Sequence, residues 1–462
     1  MKLFRWIKSI LALILIASGF YLGNLFFFKP YSIDHYLAKE FLLEMLDSPE
    51  SLTYLGIFDR FNWFTNHQSK ISITGLAHLK EDLDDAKNSK SILLSYKDAS
   101  LSKQQKITKK IALFDLTNFI LEQEKFPFHN YPLNQIGGIH LNAVEFMTDV
   151  HPIRNIKEAQ AYIDRLDLFD DSFRSTLEIL KEQEKAGIFP PIFVFDHVIR
   201  QLEEFLNFKK NENPLRKIYI DKINDLNFDQ EDVKKLISSL DNSIENSVNP
   251  GFKLLYDFIK QTKSKANQFD GVWSLPSGDE FYAFRLKFYT TTDYSAQEIH
   301  DIGLSEVKRI TNLMQSIAYD LGYEAQVNVG LLMNQLNEDP KFLYSDSPDR
   351  KEKVVNDYNS IVEETWSIAE NYFHNMPKSE VEVRAVPEYS EQNQAGGYYM
   401  MPALDGSRPG VFYANLYDIK QTPTYSMRTL AFHEAIPGHH LQVALNLENE
   451  DLTLYRRFGY GT

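Results

Sequence analysis

From Tyr31 to about residue 130, apolar side chains recur at intervals of three and four, as in HYLAKEFLLEMLD. That spacing predicts helices with one buried face. Ser48-Pro49-Glu50 reads as an N-cap, a proline at the first helical position and an acidic first turn. Phe58, Phe61, Trp63 and Phe64 form an aromatic cluster expected in the core, and KEDLDD at 80–85 a solvated helix face. Residues 126–154 are rich in Pro, Gly and Asn and predict a long irregular connection. His129, His140 and His151 lie along it with no metal-ligand spacing, so they read as loop or core histidines. Helical periodicity resumes from about 155 to 210, broken at 187–191, and a further helical block is expected to end near Asn249-Pro250-Gly251. Residues 271–292 could be a strand or the beginning of a helix. Ser295 with Glu298 predicts a capping box opening a helix through Ile310, and His300 on it is a candidate substrate contact.

After a helix expected near 350–373 the period changes to two, with Val381, Val383 and Ala385 alternating with polar neighbours. The segments GGYYMMPA and GVFYANL follow, separated by turn chemistry at Asp405-Gly406. A small antiparallel sheet is expected there, directly before a helix at 428–442. Tyr398, Tyr399 and Tyr413 on it are candidate substrate contacts, because an extended peptide can pair with an open strand edge. The pattern as a whole predicts a mainly α fold, one helical body over 29–462 with a possible seam near 250–280.

Residues 1–28 have a different character. Lys2, Arg5 and Lys8 precede an apolar run from Ile10 to Phe28, and the 22 residues from Ile7 to Phe28 would span about 33 Å as a helix. This predicts a membrane-spanning signal-anchor with its basic end in the cytoplasm. A cleaved signal peptide ending at Ala17-Ser18-Gly19 is the competing reading, and either one places the body in the cell envelope or outside the cell.

Among the 462 residues, 43% are hydrophobic and 13% aromatic, enough for a large core, and the net charge of −15 argues against nucleic acid as a partner. Cysteine is absent, which removes disulfides, thiolate metal sites and thiol catalysis. Histidine and carboxylate remain as metal donors.

The chemistry concentrates in RTLAFHEAIPGHHLQ, residues 428–442. In the HExxH arrangement two imidazoles four residues apart hold one zinc ion and the glutamate takes a proton from water. Here the next imidazoles after His433 are His439 and His440, six and seven residues on. On an unbroken helix they would lie roughly 9 and 10.5 Å further along the axis, too far for bonds of about 2.0–2.1 Å to one ion. Pro437-Gly438 is suited to interrupt the helix and shorten the path. The expected ligands are therefore His433 and His439, with His440 in reserve and Glu434 as general base. Met427, Leu430, Ala431 and Glu434 share one stripe, and a carboxylate on a buried stripe is costly unless it is paired or near a metal.

HEAIPGHH resembles the signature of the bacterial domain of unknown function family 885, which is grouped with HExxH peptidases of the thimet-oligopeptidase and angiotensin-converting-enzyme type. SPESLTYLGI (48–57), YPLNQIGG (131–138), PPIFVFDHVIRQL (190–202), residues 271–303 and AGGYYMMPALDGSRPGVFYAN (395–415) are similar to it as a set. The resemblance implies a helical zinc metallopeptidase with an active-site channel and peptide substrates. It also implies a third ligand, a glutamate on a later helix. Glu448, Glu450 and Asp451 are the only acidic residues after His440, and none is well placed, so the chain reads as truncated at its C-terminus. The alternative expectation is a catalytically inactive, membrane-tethered peptide-binding protein on a peptidase scaffold.

Overall fold

The computed structural model describes residues 2–458 except 57, 267, 325, 388–390, 392–393, 404–405 and 407. Helix accounts for 68% of the chain, so the mainly α class holds. Local signals account for many boundaries. Ser48 Oγ accepts from Ser51 N at the head of Pro49–Leu55, and Ser295 and Glu298 close both arms of a capping box on Ala296–Asp320.

The largest core lies between residues 133 and 259, where helices at 156–166, 169–185, 192–207, 214–224, 230–243 and 249–262 bury Tyr162, Phe169, Phe173, Phe195, Tyr219 and Phe252. Pro250 does not end a helical block as expected. It occupies the first turn of Asn249–Thr262, where its missing N–H costs nothing. The region at 126–154 is less irregular than its composition suggests, since Ile139–Glu145 is helical and a π-turn follows at Phe146–Val150. His129, His140 and His151 are buried. The open choice at 271–292 resolves to a helix, Gly278–Thr290.

Two further expectations about exposure and membrane insertion are overturned. The aromatic cluster after Leu55 is not core, since Phe61, Trp63 and Phe64 are exposed, Trp63 by 81%. The membrane-spanning segment also fails. Lys2–Phe27 is one helix, yet among the described residues no helix is long and apolar enough to cross a membrane. The helix begins at Lys2, so Lys2, Arg5 and Lys8 are part of it, and Ser18, Gly19, Gly23 and Asn24 dilute its apolar half. Asn24 then turns the chain back, donating to Lys29 O at 2.9 Å and accepting from Tyr31 N at 3.0 Å.

A second core supports the motif. Strands β1 (Val381–Ala385), β2 (Gly397–Met400) and β3 (Gly410–Ala414) form a sheet in the order β1-β3-β2. The sheet is mixed rather than antiparallel throughout: β2 runs antiparallel to β3 and β1 parallel to it. Of the turn expected between β2 and β3, Asp405 lies outside the described residues. Central β3 is wholly buried. Phe412 and Ala414 from β3 and Val383 from β1 pack with Val354, Tyr358 and Val362 of helix Arg350–Ala369 and with Met427, Ala431 and Ala435 of the motif.

Candidate metal centre

The motif helix, Met427–Glu434, ends where the sequence requires it to end. Met427 and Ala431 are fully buried on the stripe that meets the sheet, and Glu434 is 5% exposed at its end. Ala435 leaves helical geometry (φ −108°, ψ −98°), the Ile436–Pro437 bond is cis, and a second helix runs from His439 to Glu448. Gly438 sits inside the bend. A Cβ there would lie 1.9 Å from the carbonyl oxygen of His433 and 2.3 Å from that of Phe432. Only glycine fits.

The bend brings together what six residues of straight helix would separate. The His433 and His439 ring centroids are 4.7 Å apart at 87°. One donor atom from each of His433, Glu434 and His439 lies within 4.8 Å of the others. Among the described residues this is the one such grouping of three donors. Donors on a tetrahedral zinc with bonds of about 2.0–2.1 Å lie roughly 3.3 Å apart. Closing on an ion would therefore draw these groups inward by at most about 1.5 Å. Two imidazoles, with no sulfur donor, suit zinc, and the Glu434 carboxylate stands close enough to take a proton from water held there. Glu434 is buried whereas the two imidazoles are not. Burial raises its carboxyl above the ordinary range, and His439 and His433 pull it back down.

His440 has a different task. It is fully buried, its Nε2 donates to Ser379 O at 2.9 Å, and its Nδ1 accepts from Tyr399 Oη at 2.9 Å. Both ring nitrogens are engaged, which leaves none for a cation in this arrangement. Burial pushes its pKa down to about 4, so the imidazole is neutral, as those two bonds require. Glu448 fixes the next link. Its carboxylate accepts from Lys378 N at 2.8 Å and from Ser379 N and Oγ at 2.9 and 3.0 Å. The sequence reading missed Ser379 and Gly410, whose Cβ would meet His440 Nδ1 at 2.6 Å, and weighed Glu448 only as a metal ligand. A carboxylate in the last turn of a helix opposes the macrodipole, and that conflict was the available signal for Glu448.

The tyrosines divide by face. Tyr399 reaches His440 and lies parallel to the His439 ring at 6.3 Å. Tyr398 and Tyr413 are cross-strand partners stacked at 4.9 Å, and Tyr413 is buried with Val386, Met400 and Val411. Those two pack the sheet. His300 is exposed on Ala296–Asp320, a helix in which Ala318 alone is buried.

No sequence among curated proteins matches this chain. A solved structure provisionally described as a lipoprotein, from Colwellia psychrerythraea, has the same fold with a TM-score of 0.86 and 26% identity, over 93% of this chain and 75% of that one. Another, provisionally described as a lipoprotein of unknown function from Shewanella oneidensis, aligns over the same shares at a TM-score of 0.61 and 13% identity, a likeness of fold alone. The family model for bacterial proteins of unknown function, DUF885, matches residues 49–462, and the chain belongs to that family.

Proposed function

We propose that this protein is a zinc-dependent peptidase of the cell envelope. The observation that carries the reading is the convergence of His433, Glu434 and His439 at a helix break that Pro437 and Gly438 create. His433 and His439 would hold the ion. Zinc, when bound, supplies a Lewis acid that makes water acidic enough to lose a proton near neutral pH. Glu434, buried beside both imidazoles, is the proton carrier that takes a proton from water and returns it to the leaving amine. β2 lies at the side of the sheet, and Tyr399 on it sets its ring parallel to that of His439, beside the three donors. The description of the Colwellia relative as a lipoprotein supports the envelope location.

The test is zinc content and peptide cleavage by the full chain, wild type against Glu434→Gln. One zinc per chain, with turnover lost in the variant, is expected. Absence of both zinc and turnover in the wild type would end the reading. One observation favours a second reading, a peptide-binding protein without turnover: among the described residues no further imidazole or carboxylate joins the three donors. Peptide binding without metal would select it.

A further inference from the structure

A cavity of about 270 Å³ lies away from the candidate metal centre. Tyr54 in its wall packs with Tyr398, Met400 and Tyr413, on the face of the sheet opposite to Tyr399 and His439. Four stretches of chain meet there: helix Ile33–Asp47, helix Pro49–Leu55, Met401 just past β2, and the short helix Leu454–Phe458. They bring four aromatic rings to one space, those of Phe41, Tyr54, Tyr455 and Phe458. Phe41 and Phe458 stack at 4.9 Å and form one wall. The thioethers of Met45 and Met401 add soft, polarizable surface.

Charge gives this space a sign. Among the described residues its wall holds no lysine, arginine or histidine, and it holds one carboxylate, that of Glu44. Glu44 has no hydrogen bond and no ion pair among the described residues. The packing that shields it from water raises its carboxyl above the ordinary range, and nearby Asp82 and Glu40 add to this. A cation beside Glu44 would offset both effects. The Tyr455 hydroxyl donates to Asp115, which sets a second carboxylate at that ring. Two of the rings already carry cations. The Arg408 guanidinium lies 5.0 Å from the Tyr54 centroid and that of Arg457 5.9 Å from the Phe458 centroid. Each is held by a backbone carbonyl, of Tyr54 or Leu447, and neither lines the cavity.

We infer that this cavity binds an alkylated ammonium group, such as the trimethylammonium end of choline, against its aromatic rings with Glu44 as counter-ion. Aromatic faces attract a cation within about 6 Å of the centroid, and more strongly once water is excluded. An ammonium that keeps its N–H groups needs three acceptors. The wall supplies few, since Ser51 Oγ already accepts from Ser48 Oγ at 2.7 Å and the Tyr455 hydroxyl is engaged with Asp115. Methyl groups in place of N–H remove that need and fill the apolar surface. The volume falls below the roughly 300–1,000 Å³ of sites for whole drug-sized molecules, which suits a headgroup. This assignment does not depend on the peptidase reading.

The full chain is titrated by calorimetry with choline, with its uncharged tert-butyl analogue, in which carbon replaces nitrogen, and with ethanolamine. A chelator is present so that metal contributes nothing. One site with a Kd of about 1 mM or tighter is expected for choline. The two analogues should bind at least about tenfold more weakly, since one lacks the charge and the other the methyl groups. Glu44→Gln keeps the shape of the side chain and should weaken choline by about tenfold; Phe458→Leu keeps an apolar wall without the ring and should weaken it by about fivefold. Urea midpoints report whether each variant folds, and Glu44→Gln decides the matter should Phe458→Leu fail to. Equal affinity for the tert-butyl analogue shows an apolar cavity with no cation preference and overturns the inference. Ethanolamine matching choline, no heat with choline up to about 20 mM, or unchanged affinity in the variants overturns it as well. Sedimentation with phosphatidylcholine or phosphatidylglycerol vesicles, wild type beside Glu44→Gln, identifies the source. Binding to phosphatidylcholine that the variant loses supports the site with a lipid headgroup as its ligand, and choline binding without it supports the site with a free solute.

Discussion

Gly438→Ala tests the bend on which the candidate centre depends. The added methyl would lie 1.9 Å from the His433 carbonyl oxygen, 2.3 Å from that of Phe432 and 2.4 Å from the His433 carbonyl carbon. Carbon–oxygen contacts of this kind settle at about 3.3–3.6 Å, so the chain must open by roughly 1.4 Å. All three obstructing atoms are backbone, and no side-chain rotation relieves them. Overpacking that side chains can partly absorb costs about 1–3 kcal/mol, so a loss near 3 kcal/mol is expected here. Urea unfolding in the presence of a chelator measures it without any contribution from metal. The same displacement separates His433 from His439 by far more than the ±0.2 Å tolerated in metal–ligand bonds. Zinc affinity, read by competition with a chromogenic chelator, should fall by about 100-fold. A variant within about 0.5 kcal/mol of wild type, with zinc affinity unchanged, would show that the glycine is not holding the bend described here.

Other perturbations separate the roles. Glu434→Gln should keep zinc and lower cleavage by about 10²- to 10⁴-fold, the contribution of a positioned proton carrier, as measured by peptide turnover beside metal analysis. Arg165 is fully buried and donates to Lys70 O, His67 O, Pro49 O, Thr53 Oγ1 and His151 Nδ1; Arg165→Met strands several of these acceptors and should cost about 3 kcal/mol, with residues 49–70 becoming sensitive to limited proteolysis. His140 is buried, with Nε2 donating to Gln201 Oε1 at 3.0 Å and burial pushing its pKa down to about 4. Because the unfolded chain takes up that proton near pH 6.5 and the folded one does not, its contribution is complete above pH 6.5 and is lost as pH falls towards 4. That is about 3 kcal/mol over the window, and His140→Gln should flatten the acid limb of urea midpoints by close to one proton.

What could be read from the sequence was what short-range chemistry decides. Ser48-Pro49 and Ser295 with Glu298 cap their helices with atoms three residues away. Pro437-Gly438 announced a bend because the alternative, two imidazoles about 9 Å apart on a straight helix, served no single ion. The unread features depend on distant partners. Alternation gave three strands but not their order, since pairing β1 parallel to β3 requires the intervening chain to cross over before β3 returns between them. Phe61, Trp63 and Phe64 looked like core by composition, yet burial is decided by what packs over them. Pro250 was read as a stop because a proline that ends one helix and one that begins the next look alike in sequence.

His440 shows most directly why two adjacent imidazoles could not be ranked from spacing. Successive helical residues point about 100° apart, so the bend can aim only one of the pair at His433. Which one it aims is decided from outside the motif. Glu448 holds the backbone at Lys378 and Ser379, Ser379 offers its carbonyl to His440, and Tyr399 closes the other ring nitrogen. Gly410 leaves the room that this arrangement occupies. With His440 fixed towards the sheet, His439 is left on the side of His433. Residue 438 makes the bend possible, whereas residues 379, 399, 410 and 448 determine which histidine benefits from it.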